Sequence, residues 1–358
     1  MAVAALMSSC SDNTKTGTFH LVIGTYGHNL HEVDFNPDGS FGTMNAIPSE
    51  NPSFVIKDGQ GHYFAVSEND PHSGVYSYSE SVVTAFQDNS DFGPCHLLLL
   101  DNTIYTADYA GGSLSSFPVK DGMVLPKTSY IQFNGSGPHP ERQAHSYIHQ
   151  LRVIPEEIGN RLGLKGKWVL ATDLGDDSIH VLCKKEGDPL ADCPELIINL
   201  EEGTGPRHME FNTRNNLLYC LSEIGGMIYV LEIGTDDGRP SFTLIQSLKA
   251  DLADAGGSAD IHLHPSGKFL YTSHRLENDG IAVFKVGEDG LIERTSYRNT
   301  GIHPRNFQIT PDGAFLLVAC RDSRCIQAFR IDRNDGSLPE SPVSILSFDA
   351  DKPVCIAF

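Results

Sequence analysis

A chain that repeats itself at a fixed interval of a few tens of residues is restricted to architectures that stack or circle one small unit. Short runs rich in aromatic and β-branched residues recur here at 21–26 (LVIGTY), 63–68 (YFAVSE), 104–108 (IYTAD), 168–173 (WVLATD), 218–223 (LYCLSE), 270–275 (LYTSHR) and 316–321 (LLVACR). Turn-forming residues bound each run, as expected for strands. A second series begins at Pro52, Pro94, Ile148, Pro206, Asp260, Pro304 and Pro353. Pro52 and Pro353 are 301 residues apart over six steps, about 50 each, which is the period of a four-stranded propeller blade. Third-strand runs such as 280–286 and 325–331 lead into Asp-Gly pairs, found at 38–39, 121–122, 237–238, 289–290 and 335–336. Asp-Gly supplies the positive φ of tight hairpins, so a fourth strand is expected after each.

The pattern predicts an all-β fold, a seven-bladed β-propeller of four-stranded antiparallel blades. The N-terminal copy opens on a second-strand sequence, whereas 353–358 (PVCIAF) is a first-strand sequence with nothing after it. The first blade is therefore expected to be closed by the C-terminal strand. The length of 358 residues alone would suit two or three domains; the repeat instead predicts one propeller domain over 19–358. Residues 1–18 read as an N-terminal tail or signal remnant. The run MAVAALMSS is apolar, ends at Cys10 and resembles the end of a bacterial lipoprotein signal, without the basic segment that normally opens one. A lipid anchor at Cys10 would make this an exported lipoprotein; the alternative is the cytoplasm. No apolar run reaches the roughly 18 residues of a transmembrane helix.

Of the eight cysteines, none forms a CxxC pair or a zinc-like spacing with histidine. Cys183 with Cys193, and Cys320 with Cys325, would pair in an oxidising space; reduced core thiols are the alternative. The formal charge of −20 repels nucleic-acid phosphates, so no nucleic-acid partner is expected. Against that background the arginines stand out. In each blade the start of strand one and the end of strand two share one end of the sheet. The strand-two ends align as Tyr26, Glu68, Asp108, Asp173, Glu223, Arg275 and Arg321; the strand-one starts add His96, His149, Arg207, His208, Asp260, His262 and Arg305. Arg207, Arg275, Arg305 and Arg321 fall in three consecutive blades, a cationic arc suited to a small anion. The Gly/Pro-rich loop GSGPHPERQ with Arg142 would either cover the channel mouth or serve as a plain connector, the commoner use of such loops, and Asp176-Asp177 reads as a solvated turn.

The strings GTGPRHMEF, YCLSE, SADIHLHPSGKFLYTSHR and HPRNFQITPDGAFLL, followed by FRID and DGSL, resemble the seven-bladed lactonase family, which includes 6-phosphogluconolactonases and carboxy-muconate cyclases. The resemblance runs from about residue 19 onward; the stretch 157–167 (EIGNRLGLKGK) departs from it as an insertion in blade four. It implies a catalytic group of His149, Arg207, Glu223 and Arg275, with His145 as the alternative histidine. Hydrolysis of a sugar lactone follows, foremost 6-phosphogluconolactone of the pentose phosphate pathway, without metal or cofactor. Glu223 and His149 are the expected base and acid, in either order. Arg207 and Arg275 would face the oxyanion and the substrate's charge. Arg305, Arg321, His208, Asp260 and His262 are expected around the substrate. A muconate-type lactonizing cycloisomerase and a non-catalytic ligand-binding propeller are the competing readings.

Overall fold

The computed structural model describes residues 17–68, 73–90 and 92–358; Cys10 and the tail before residue 17 lie outside them. Seven antiparallel sheets follow one another along the chain. Blade five shows the plan: Pro206–Asn212, Leu217–Ser222, Met227–Asp236 and Arg239–Lys249, each paired with the next. The outer strand is split in blades three and four, where Met123–Val124 is followed by Ser129–Gln132 and Ala191–Asp192 by Ile198–Asn199. Pro126 and Pro194 interrupt these edges, because proline has no N–H to give the ladder. Asp121 and Gly122 both have positive φ, 50° and 72°, the geometry expected of an Asp-Gly hairpin. The insertion in blade four is a short helix, Glu156–Leu162, ended by Gly163 in the left-handed conformation.

There is no single core. Buried apolar side chains form seven clusters, one between each pair of neighbouring blades. Strands that are sandwiched on both faces read as continuous apolar runs, and Leu217–Ser222, Phe269–His274 and Phe315–Cys320 are buried throughout. One cluster joins the ends of the chain: Leu21, Val33 and Phe35 of blade one pack on Phe315, Leu317 and Ile326 of blade seven.

The closing strand is Lys352–Ala357, paired antiparallel with Phe19–Tyr26. Asp351 locks it. One of its carboxylate oxygens accepts the His28 N–H at 2.9 Å, and the other accepts Asn29 Nδ2 at 2.9 Å and lies 2.7 Å from His31 Nε2. Burial raises the Asp351 carboxyl, but these donors outweigh it and hold it below its ordinary value. A carboxyl depressed in the fold stabilises above its unfolded pKa, and that contribution disappears as pH falls through the folded value. Asp351→Asn should therefore cost about 2 kcal/mol near neutrality. Urea titrations of the two proteins should converge below about pH 4, near the ordinary Asp value; a gap independent of pH would refute this account of the lock.

Candidate active site

The device that builds the site is a β-bulge repeated in every blade. Pro206 pairs with Ser222 and His208 with Leu221, leaving Arg207 as an extra residue in the innermost strand. The same skip leaves out Ser53, Cys95, His149, Arg305 and Val354, and in blade six falls at Ala259 and Asp260. A bulge bends its strand and re-aims side chains, so the extra residue and its successor both reach the axis. Contacts between blades that are not neighbours show this. Arg305 of blade seven lies 3.8 Å from Glu68 of blade two, and the rings of His96 and His208, in blades three and five, are 6.2 Å apart.

Glu223 is the centre of the upper layer. Its Oε2 lies 2.6 Å from Arg207 Nε and its Oε1 lies 3.1 Å from Arg275 Nη2, while Arg142 Nη2 also binds Oε1. The Arg207 N–H does not point along its contact, so that pair is held by charge more than by a directed hydrogen bond. Burial raises the Glu223 carboxyl, yet Arg275, Arg207 and Arg142 hold it well below the usual carboxylate range. Arg275 is anchored further: Nε donates to Gly257 O at 2.8 Å, and Nη1 lies 3.3 Å from His303 Nε2. Burial draws its guanidinium down to about 9 although Glu223 opposes this. Arg207, 1% exposed, donates from Nη1 to Ala259 O. Arg305 makes no close hydrogen bond among the described residues; its guanidinium stands over the Tyr26 ring at 5.4 Å, and Tyr26 donates to Glu68 at 2.7 Å.

His149 sits beside these arginines, 5% exposed, its ring between Tyr109 at 5.6 Å and His208 at 5.2 Å. Its buried Nδ1 has no hydrogen-bond partner among the described residues. Burial, Arg207 and His208 keep the ring well below the ordinary histidine value, so it is a neutral imidazole at physiological pH.

Beneath lies a second layer centred on Asp260, 2% exposed. Oδ1 faces His208 Nδ1 at 2.7 Å and accepts the Ile261 N–H; Oδ2 faces His262 Nε2 at 3.1 Å and accepts Asn306 Nδ2 and the Phe307 N–H. Every lone-pair direction of the carboxylate is thus taken by blades five, six and seven. Burial lowers His262, but Asp260 and Glu210 raise it to about 9; His208, with Arg207 adding to burial, falls to about 4.

The structure brings His149, Arg207, Glu223, Arg275 and Arg305 together, with His208, Asp260 and His262 behind them. Arg321 does not join: its Nε and Nη2 grip Asp322 at 2.9 Å each. Asp108 and Asp173 turn into their own blades. Asp108 accepts from Asn89, Thr106, Ser113 and Ser115, and Asp173 from the Tyr147 and Gly175 N–H groups. The bulge pairing explains this, because Asp108 aligns with Ser222, which faces Pro206 just as Asp108 faces Pro94; the channel position belongs to Tyr109 and Glu223. His145 is stacked on Tyr147 at 4.0 Å. Arg142, Tyr109 and His303 are members of the site that the repeat did not single out.

Among the described residues one donor set has the proximity that a metal needs, Asp173, Asp176 and His180. His180 Nε2 already lies 3.4 Å and 3.7 Å from the two carboxylates, which raise the imidazole despite its burial. His180 thus serves as the ion-pair partner of both carboxylates.

The family model described as "Lactonase, 7-bladed beta-propeller" matches residues 20–358. The chain belongs to the seven-bladed β-propeller lactonase family. A candidate 6-phosphogluconolactonase of Bacteroides fragilis NCTC 9343 is similar in structure, with a TM-score of 0.85, 34% identity, and coverage of 97% of this chain and 99% of that one. A second, from Bacteroides uniformis ATCC 8492, has a TM-score of 0.85 at 33% identity over 95% of this chain and 98% of its own. The 6-phosphogluconolactonase of Bacillus subtilis strain 168 is 27% identical over 331 residues, 86% of this chain and 89% of that protein. This lactonase-family chain thus shares its whole propeller with relatives of that name.

Proposed function

We propose that the protein hydrolyses a sugar δ-lactone, foremost 6-phosphogluconolactone, at the arginine-lined end of its channel. The observation that carries this reading is the unpartnered, neutral imidazole of His149 set among guanidiniums in a protein of charge −20. Lactone hydrolysis needs a proton acceptor for water and positive charge where the carbonyl oxygen becomes an oxyanion. His149 fits the first need because its neutral imidazole keeps one unprotonated ring nitrogen that can take a proton. Glu223 fits it less well, since three guanidiniums occupy its oxygens; its role is to position Arg207 and Arg275. Arg305, with no close hydrogen bond of its own, and the remaining N–H groups of Arg207 meet the oxyanion.

In the step itself water attacks the lactone carbonyl carbon and gives its proton to His149. The C–O bond to the ring oxygen then breaks, and the imidazolium returns the proton to that oxygen. One lactone and one water yield a hydroxy acid, whose carboxylate is left among the arginines. His208, held by Asp260, packs edge-to-face with His149 and fixes its ring.

The test is hydrolysis of D-glucono-1,5-lactone 6-phosphate by the purified protein, followed by coupled dehydrogenase assay above the spontaneous rate. Activity on that lactone and none on a carboxy-muconate supports the reading; the reverse pattern overturns it. Because the environment of His149 favours the neutral base, kcat/KM should stay level from pH 8 down through the ordinary histidine value of about 6.5 and fall only below it. A limb centred near 7 would remove His149 from the role of base.

A further inference from the structure

Arg142 differs from the other guanidiniums of the site in where it comes from and how it is held. It is carried by the segment between blades three and four, not by a bulge. That segment is pinned at the neighbouring residue: Gln143, fully buried, donates from Nε2 to Leu174 O at 2.9 Å and to Asp177 Oδ1 at 2.7 Å, and its Oε1 accepts the His139 N–H. The Gly137 N–H donates to Gln143 O, and the Gln143 N–H to His139 O. A β-carbon on Gly175 would stand 1.8 Å from His145 O, so the segment lies directly against blade four. The backbone is therefore fixed, and only the side chain of Arg142 has room to move.

The side chain of Arg142 is 34% exposed, against 2% for Arg207 and 5% for Arg275. All three converge on one carboxylate. Glu223 needs only two of them for charge compensation and geometry, and the outermost is the one whose departure exposes no buried charge. A guanidinium at the mouth, fixed at its root and shared with an over-supplied carboxylate, is suited to exchange Glu223 for an anion on the ligand in bidentate fashion.

We propose that Arg142 is a specificity-determining residue that leaves Glu223 to bind an anionic substituent, a phosphate monoester or a carboxylate, at the end of the substrate remote from the lactone carbonyl. This rests on the reading of the channel end as a lactone site with the carbonyl at the deeper Arg207 and His149. The charged tail then points toward solvent. Arg142 acts on discrimination between lactones, not on bond cleavage.

The experiment is calorimetric titration of the parent, Arg142→Gln and Arg142→Lys with the product acids 6-phosphogluconate, glucarate and gluconate. Kinetics on the phosphorylated and unphosphorylated lactones accompany it, with melting curves to show that each variant folds. The parent should bind at least one dianionic acid about tenfold or more tighter than gluconate, and which one identifies the substituent. Arg142→Gln should lose most of that ratio, while Arg142→Lys should retain part of it. An unchanged ratio in Arg142→Gln, or a parent without preference, overturns the proposal. If neither lactone is turned over, the catalytic reading fails on its own, and the binding ratio still decides the role of Arg142.

Discussion

A chain ending at Lys352 should show no cooperative urea transition at the concentrations where the full-length protein unfolds. The six residues removed include Val354, Cys355 and Ile356, exposed by 3%, 2% and 1%, and all of the strand paired with Phe19–Tyr26 except Lys352. Burying side chains of this kind contributes about 1.5–3 kcal/mol each, and Asn306 Oδ1 loses the Ile356 N–H that it accepts at 2.8 Å. The loss is comparable with the roughly 5–15 kcal/mol that domains hold in reserve. Two of the seven interblade clusters also contain residues of this strand, Ile356 in one and Cys355 in the other. A truncated protein with an unchanged urea midpoint would refute closure by this strand.

His149→Ala should lower kcat by about a hundredfold to ten-thousandfold, the range expected for loss of a general base, with KM changing far less. The ring makes no hydrogen bond to the protein through its buried Nδ1, so its removal leaves no donor or acceptor stranded. Melting temperature should shift little, which separates a chemical role from a structural one. Asp260→Ala should behave in the opposite way. It strands His208, protonated His262 and Asn306, and a large fall in stability should accompany any loss of rate. If His149→Ala kept near-parental kcat, the base would have to be sought elsewhere.

The architecture was legible because blades are repeats, and a repeat announces itself without knowledge of any contact. Closure was legible for the same reason, from the strand type at each end. The rim was legible only in part. Asp108 and Asp173 each end a second-strand run on an acid and so look like the counterparts of Glu223, although by their pairing partners they occupy the place of Ser222. Aligning Tyr105 of the 104–108 run with Tyr219 of the 218–223 run puts Tyr109 level with Glu223. The grip of Arg321 on Asp322 leaves no mark in a single sequence. Arg142 lies in a segment outside the period, so the sequence could offer the channel mouth for its loop but not its contact with Glu223.

The seven bulges have a consequence for how such a channel changes over evolutionary time. A bulged residue stands outside the ladder's pairing, so its identity is free of the demands that shape the blade. At present His149, Arg207 and Arg305 fill three of these positions, while Ser53, Cys95, Ala259 and Val354 are small or apolar. Ligand chemistry on this axis can therefore be rewritten one position at a time without disturbing ladder pairing, most freely where the bulged residue is not, like Cys95 and Val354, packed into the blades.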